Sequence, residues 1–162
     1  VVQMKKALVA YFSASGVTAG LAKTLCGAVN GDLYEIKPAK AYTAADLNWN
    51  DPTSRSTIEM NDKSFRPAVA NRVENMAEYD AVYVGFPIWW YVAPTIINTF
   101  LEQHDLTGKT IVPFATSGGS GMGNTNAELA PSCKGAMLKE GKRFSSNAKE
   151  AELKLWAEKA ER

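Results

Sequence analysis

Apolar runs and amphipathic stretches alternate along the chain. Ala7 to Phe12 (Ala-Leu-Val-Ala-Tyr-Phe) is an unbroken apolar run, as expected for a strand covered on both faces. Leu21, Leu25, Ala28 and Val29 then recur at helical spacing, and Asn30-Gly31 supplies the stop. Leu33 to Ile36 reads as a short second strand closed by Pro38. Ala81 to Phe86 reads as a third strand running into Pro87, with Ile97, Phe100 and Leu101 marking the helix after it. Thr110 to Ala115 is a fourth strand. Pro113 sits awkwardly inside it, since proline cannot donate to a ladder, but apolar β-formers surround it. Thr125 and Glu128 are spaced as a capping box for a helix that Pro131 cuts short. A weaker strand is expected within Ala136 to Phe144. A last helix is expected to open at Asn147, with Glu150 three residues on, and to bury Leu153, Trp156, Ala157 and Ala160.

Strands alternating with helices imply right-handed crossovers and a parallel sheet. The expectation is one α/β domain over residues 1–162, doubly wound in three layers, with five strands. In open sheets of this kind ligands bind beyond the carboxyl ends of the strands, so chemistry is expected just after strands one, three and four. Ala39 to Arg66 does not fit the alternation. It is polar, with Trp49, Pro52, Arg55 and Met60 scattered through it, and a loop of that length is usually functional or mobile. A surface excursion packed by its own aromatics is the other reading.

The net charge of +1 removes two classes of partner: no basic excess points to nucleic acid and no acidic excess to a cationic partner. Cys26 and Cys133 form no CxxC pair, so neither a disulfide framework nor a zinc site is expected. The apolar run near the N-terminus is too short to cross a membrane and is followed by no cleavage site, so a cytoplasmic protein is expected. His104, the only histidine, lies on the apolar face of its helix and reads as a packed helix-end residue. With so few candidates no Ser-His-Asp triad and no histidine-metal site can be built, and no catalytic side chain or metal ligand is expected. Phe12-Ser13 and Phe86-Pro87 stand where a phospho-receiver would need acidic residues.

Three loops carry the candidate chemistry. After strand one, Ser13-Ala14-Ser15-Gly16-Val17-Thr18 brings three hydroxyls and a glycine to a helix N-terminus, a place suited to a dianionic phosphate. The loop lacks the lysine of a nucleoside-triphosphate P-loop, so one terminal phosphate held by neutral donors fits better. An ordinary capped strand-to-helix turn is the alternative. After strand three, Pro87-Ile88-Trp89-Trp90-Tyr91 crowds three large aromatics into one loop, which suits a flat conjugated ligand, with a dimer contact or helix packing as the alternative. After strand four, Thr116-Ser117-Gly118-Gly119-Ser120-Gly121 lets the backbone approach a ligand closely. It is a near miss for a dinucleotide fingerprint but lies after a late strand without an acidic partner.

Ser-x-Ser-Gly-x-Thr, Gly-x-Pro-Ile-Trp-Trp and Thr-Ser-Gly-Gly-Ser-Gly, in that order at three strand ends, resemble the flavodoxin-like family over roughly Met4 to Phe144. The resemblance implies a sheet of order 2-1-3-4-5 and FMN as cofactor. Ser13, Ala14, Ser15, Gly16, Val17 and Thr18 would hold the phosphate. Pro87 through Tyr91 and Thr116 through Gly121 would flank the isoalloxazine, with Trp90 or Tyr91 stacked on it. Val17 stands where the family commonly has asparagine, and the chain lacks the strong acidity of the flavodoxin carriers. The expected function is that of an oxidoreductase passing electrons from NAD(P)H to a quinone-like or other small acceptor. An electron carrier docking on partner redox proteins is the alternative. Within the long loop, Trp49 would cover the ring, and Arg55 would offset its charge or bind an anionic substrate.

Overall fold

The computed structural model describes residues 6–13, 16–40, 42–48, 50–62, 64–88, 93–116, 122–123, 125–145 and 147–160. Its elements in chain order are β1 (Ala7–Tyr11), α1 (Val17–Val29), β2 (Asp32–Glu35), α2 (Arg55–Asn61), β3 (Ala81–Pro87), α3 (Thr95–Gln103), β4 (Thr110–Thr116), α4 (Thr125–Leu129), β5 (Met137–Leu138), β6 (Lys142–Phe144) and α5 (Glu150–Ala160). The strands pair in parallel in the order β2-β1-β3-β4-β5, and β6 also pairs with β4.

Alternate residues of the central strands feed two apolar layers, as the pleat requires. Ala7, Val9, Tyr11, Tyr83, Val112 and Phe114 pack under α1 and α5. Leu8, Ala10, Phe12, Val84, Phe86 and Ala115 pack under α3 on the other face. With both faces covered, β1, β3 and β4 read as continuous apolar runs. Helix α1 stops where Asn30 turns left-handed, at φ 54°.

The fifth strand is interrupted: β5 pairs with Thr110 and Ile111, β6 with Phe114, Ala115 and Thr116. This sixth piece also explains Pro113. In a parallel ladder successive residues turn their N–H and C=O to opposite neighbours. The N–H of Thr110 goes to Asp80 on the β3 side, and the C=O of Ile111 accepts from Lys139 on the other. By that alternation the N–H that Pro113 lacks would face the break at Lys139–Gly141, where no strand needs it. Asn126 of α4 closes the break: its Nδ2 donates to Lys139 O (2.8 Å) and its Oδ1 accepts from Gly141 N (2.9 Å).

Two helix starts differ from expectation. Thr125 opens α4 but does not cap it, because its hydroxyl donates back to the Met122 carbonyl. Helix α5 begins at Glu150, three residues after Asn147, and buries Leu153 and Ala157 while Trp156 is half-buried. The long polar stretch is also not plain loop. Paired backbone bonds close its base (Ala39 N to Ala68 O, 2.8 Å; Ala70 N to Lys37 O, 2.7 Å), and α2 lies inside it.

Candidate functional site at the carboxyl edge of the sheet

The register aligns the three candidate loops. Tyr11 lies beside Gly85 and Pro87 beside Thr116, so the chain leaves β1, β3 and β4 at one edge. Backbone bonds extend the ladder past the strands: Phe12 N–H to Gly85 O (2.9 Å) and Ile88 N–H to Thr116 O (3.0 Å).

At the end of β1, Gly16 turns left-handed at φ 90° and starts α1, a conformation that glycine adopts at little cost. Its N-cap residue, Gly16, has no side chain to cap with, no other side chain among the described residues caps α1, and no acidic residue sits in its first turn. Its first N–H groups have no acceptor inside the helix, and the helix dipole adds partial positive charge there. The Gly16 N–H donates to Ser13 Oγ (2.9 Å), which leaves the Ser13 hydroxyl hydrogen for another acceptor. One residue into α1, Thr18 points inward, and its Oγ1 lies 2.8 Å from Thr116 Oγ1 at the last position of β4. Both residues are buried. Among the described residues no side chain caps the start of α3, after the second loop, and the buried Thr95 Oγ1 has no hydrogen-bond partner.

No Asp, Glu, Lys, Arg or His occurs in Phe12–Thr18, Pro87–Thr95 or Thr116–Thr125. In sequence the three segments therefore carry hydroxyls, amides, glycines and aromatics. Such a set holds an anionic group by neutral donors and leaves an apolar, flat ligand unchallenged by charge.

Of the residues singled out from sequence, Ser13, Gly16, Val17, Thr18, Pro87, Ile88 and Thr116 gather at this edge. Ala14, Ser15, Trp89, Trp90, Tyr91, Ser117, Gly118, Gly119, Ser120 and Gly121 lie outside the described residues, as does Trp49. The long excursion reaches the same edge through Tyr42, whose ring meets Phe12 edge-on at 5.5 Å. Arg55 is engaged within the excursion. Its guanidinium lies 3.8 Å over the Tyr42 ring, its Nε donates to Glu59 Oε2 (2.9 Å), and its Nη1 donates to Lys40 O (2.7 Å). Glu59 is buried and also accepts from the Tyr42 hydroxyl. Burial, then the Glu59 carboxylate, pushes the Tyr42 hydroxyl far above the usual tyrosine range.

His104 is the packed helix-end residue expected of it. It is buried, its Nδ1 donates to Phe100 O (2.8 Å), and its Nε2 accepts from Val73 N–H (3.0 Å). Two clefts of about 300 and 380 Å³ flank it beside the start of β4, at the far end of the sheet from the three loops. Among the described residues no group of three His, Cys, Asp or Glu is placed to hold a metal ion, and no helix is long and apolar enough to cross a membrane.

The sequence reading missed the Thr18–Thr116 bond, the Tyr42–Phe12 contact and Glu59. The first joins residues 98 positions apart. Nothing in local spacing signals the two contacts, and the four-residue spacing of Arg55 and Glu59 becomes a pair only once α2 is recognised as a helix.

Comparison with known proteins agrees with this geometry. The family model for flavodoxin matches residues 6–160. A candidate flavoprotein from Bacteroides eggerthii superposes with a TM-score of 0.92 at 50% identity, covering 98% of this chain and 99% of that one. One from Bacteroides uniformis gives 0.89 at 49%, covering 96% and 99%. A flavoprotein from Lactobacillus acidophilus, solved in complex with FMN, shares the fold at 23% identity with a TM-score of 0.72, covering 94% and 99%. Curated proteins yield no match. On the family match, the sheet order and the three aligned loops, the chain belongs to the flavodoxin family.

Proposed function

We propose that this chain binds one FMN non-covalently and works as an NAD(P)H-linked oxidoreductase with a quinone-like or other small acceptor. The observation that carries the cofactor is the acid-free start of α1, with Ser13 beside it and the Thr18–Thr116 pair behind it. Membership of the flavodoxin family and the FMN held by the Lactobacillus acidophilus relative support the same reading.

Ser13, Ala14, Ser15, Gly16, Val17 and Thr18 would hold the phosphate. Pro87 through Tyr91 and Thr116 through Gly121 would flank the ring, with Trp90 the first candidate to stack on it. FMN, when bound, supplies the two-electron chemistry that links a reduced nicotinamide donor to the acceptor. The side chains then need only bind, orient and exclude water, and none has to act as nucleophile or essential acid. Two features favour a small acceptor over a docking protein. The loops carry no charge to steer a partner, and the long excursion brings Tyr42 against Phe12 at the end of β1. The thiols of Cys26 and Cys133 are both free, which fits a reducing cytoplasm.

The test is a spectrum. Protein mixed with FMN and then freed of unbound flavin by gel filtration should keep the flavin absorption at about 450 nm. Anaerobic NADH or NADPH should bleach it within seconds, and a quinone should restore it. Bleaching that requires a separate reductase would make the chain an electron carrier. Failure to bind FMN at micromolar concentration would remove both readings.

A further inference from the structure

Thr18 and Thr116 are 2% and 5% exposed, and their hydroxyls meet at 2.8 Å. A hydroxyl has one hydrogen to donate and two lone pairs to accept with. A bond between two hydroxyls therefore spends one hydrogen and leaves one. Among the described residues the pair's hydroxyls bond only to each other, so either polarity is open: Thr18 to Thr116, or the reverse.

The surroundings break that symmetry once an anion arrives. Thr18 belongs to the first turn of α1, where no acid competes and, among the described residues, no side chain caps the helix. An anionic oxygen there draws the Thr18 hydrogen. Thr18 then has nothing left to donate, and Thr116 must donate to it. We infer that Thr116 is a positioning residue for phosphate, acting through Thr18 and not by its own contact. The relay Thr116 O–H to Thr18 O–H to phosphate oxygen polarises along its length, so each bond strengthens the next. It also leaves Thr116, the first residue of the third ligand loop, as a pure acceptor toward the rest of the ligand. Phosphate binding in one loop thus sets the hydrogen-bond polarity of another.

This inference rests on the FMN reading, and its test separates the two. FMN and riboflavin, which lacks the phosphate, are titrated into the parent, Thr18→Val, Thr116→Val, the double variant and Thr116→Ser. The relay predicts that Thr116→Val weakens FMN by about three- to tenfold more than it weakens riboflavin. In the Thr18→Val background the same change should cost FMN nothing further, and Thr116→Ser should keep most of the affinity. Riboflavin binding serves as the check that each variant is folded. Additive losses would mean that Thr116 meets the phosphate itself. Equal losses for both ligands would mean a structural role, and no loss would mean no role, and each of these overturns the relay. A parent that binds neither ligand would instead overturn the FMN reading.

Discussion

At the scale of single residues, two positions show how chemistry constrains the edge and the core. Gly85 heads the Gly-x-Pro-Ile-Trp-Trp motif, yet its need for glycine comes from packing. A Cβ there would stand 2.2 Å from Phe114 Cζ, on the neighbouring strand. Gly85→Ala should therefore destabilise the fold by about 1–3 kcal/mol through overpacking. Urea denaturation checks this, and adding Phe114→Leu should recover part of the loss. A full-sized effect that survives in the double variant would put the cause elsewhere. His104 makes a pH prediction. Its Nε2 must be unprotonated to accept from Val73 N–H, and burial holds its pKa below the ordinary 6.5. Between the two values the unfolded chain binds more protons than the folded one. The contribution is thus complete above about pH 6.5 and falls away as the pH drops toward the lowered folded value. His104→Gln should flatten the stability-against-pH curve below pH 6.5, and an unchanged slope would remove His104 as its source.

At the scale of elements, helix α1 separates stability from ligand binding. Val17 is exposed in its first turn. Val17→Asp puts a negative charge at the positive end of the dipole and should stabilise the ligand-free protein by about 0.3–1 kcal/mol. The same charge should repel a phosphate and weaken FMN, with riboflavin little changed. Thermal melts and titrations should therefore move in opposite directions. Parallel shifts would remove the phosphate from this helix end. The elements also differ in how plainly the sequence announces them. Strands β1, β3 and β4 were legible because both of their faces are covered, so the run between their ends carries no charged or strongly polar side chain. Helix α2 was not, because its amphipathicity is inverted: Ser54, Ser56, Thr57 and Glu59 are buried in and beside it while Ile58 is 51% exposed. Strands β5 and β6 were legible only as one vague strand. Lys139, Glu140, Lys142 and Arg143 break the apolar pattern, and the join is made by Asn126 from another element. The three loops of the site were visible as compositions. What couples them is a contact between strand ends, and that is a property of the fold.

At the scale of the whole molecule, charge is the distinguishing property. The net charge is +1, and no ionised side chain lies in the three loops. A reduced flavin that carries negative charge would meet little repulsion there. The midpoint potential of bound FMN should accordingly change little between low and high salt, since there are few fixed charges to screen. A potential that climbs steeply with salt would show that carboxylates outside these loops govern the site. The interrupted fifth strand has a different consequence. A sheet edge with free N–H and C=O groups invites a strand from another chain. Here the margin formed by β5 and β6 is two short pieces with charged residues at the break. The opposite margin, β2, is four residues long, with the Asn71 side chain donating to its Glu35 carbonyl. Neither margin offers a long, flat run of free groups to template strand addition. Copies of this chain that associate would have to meet through helices or loops, and the sheet would end where each molecule ends.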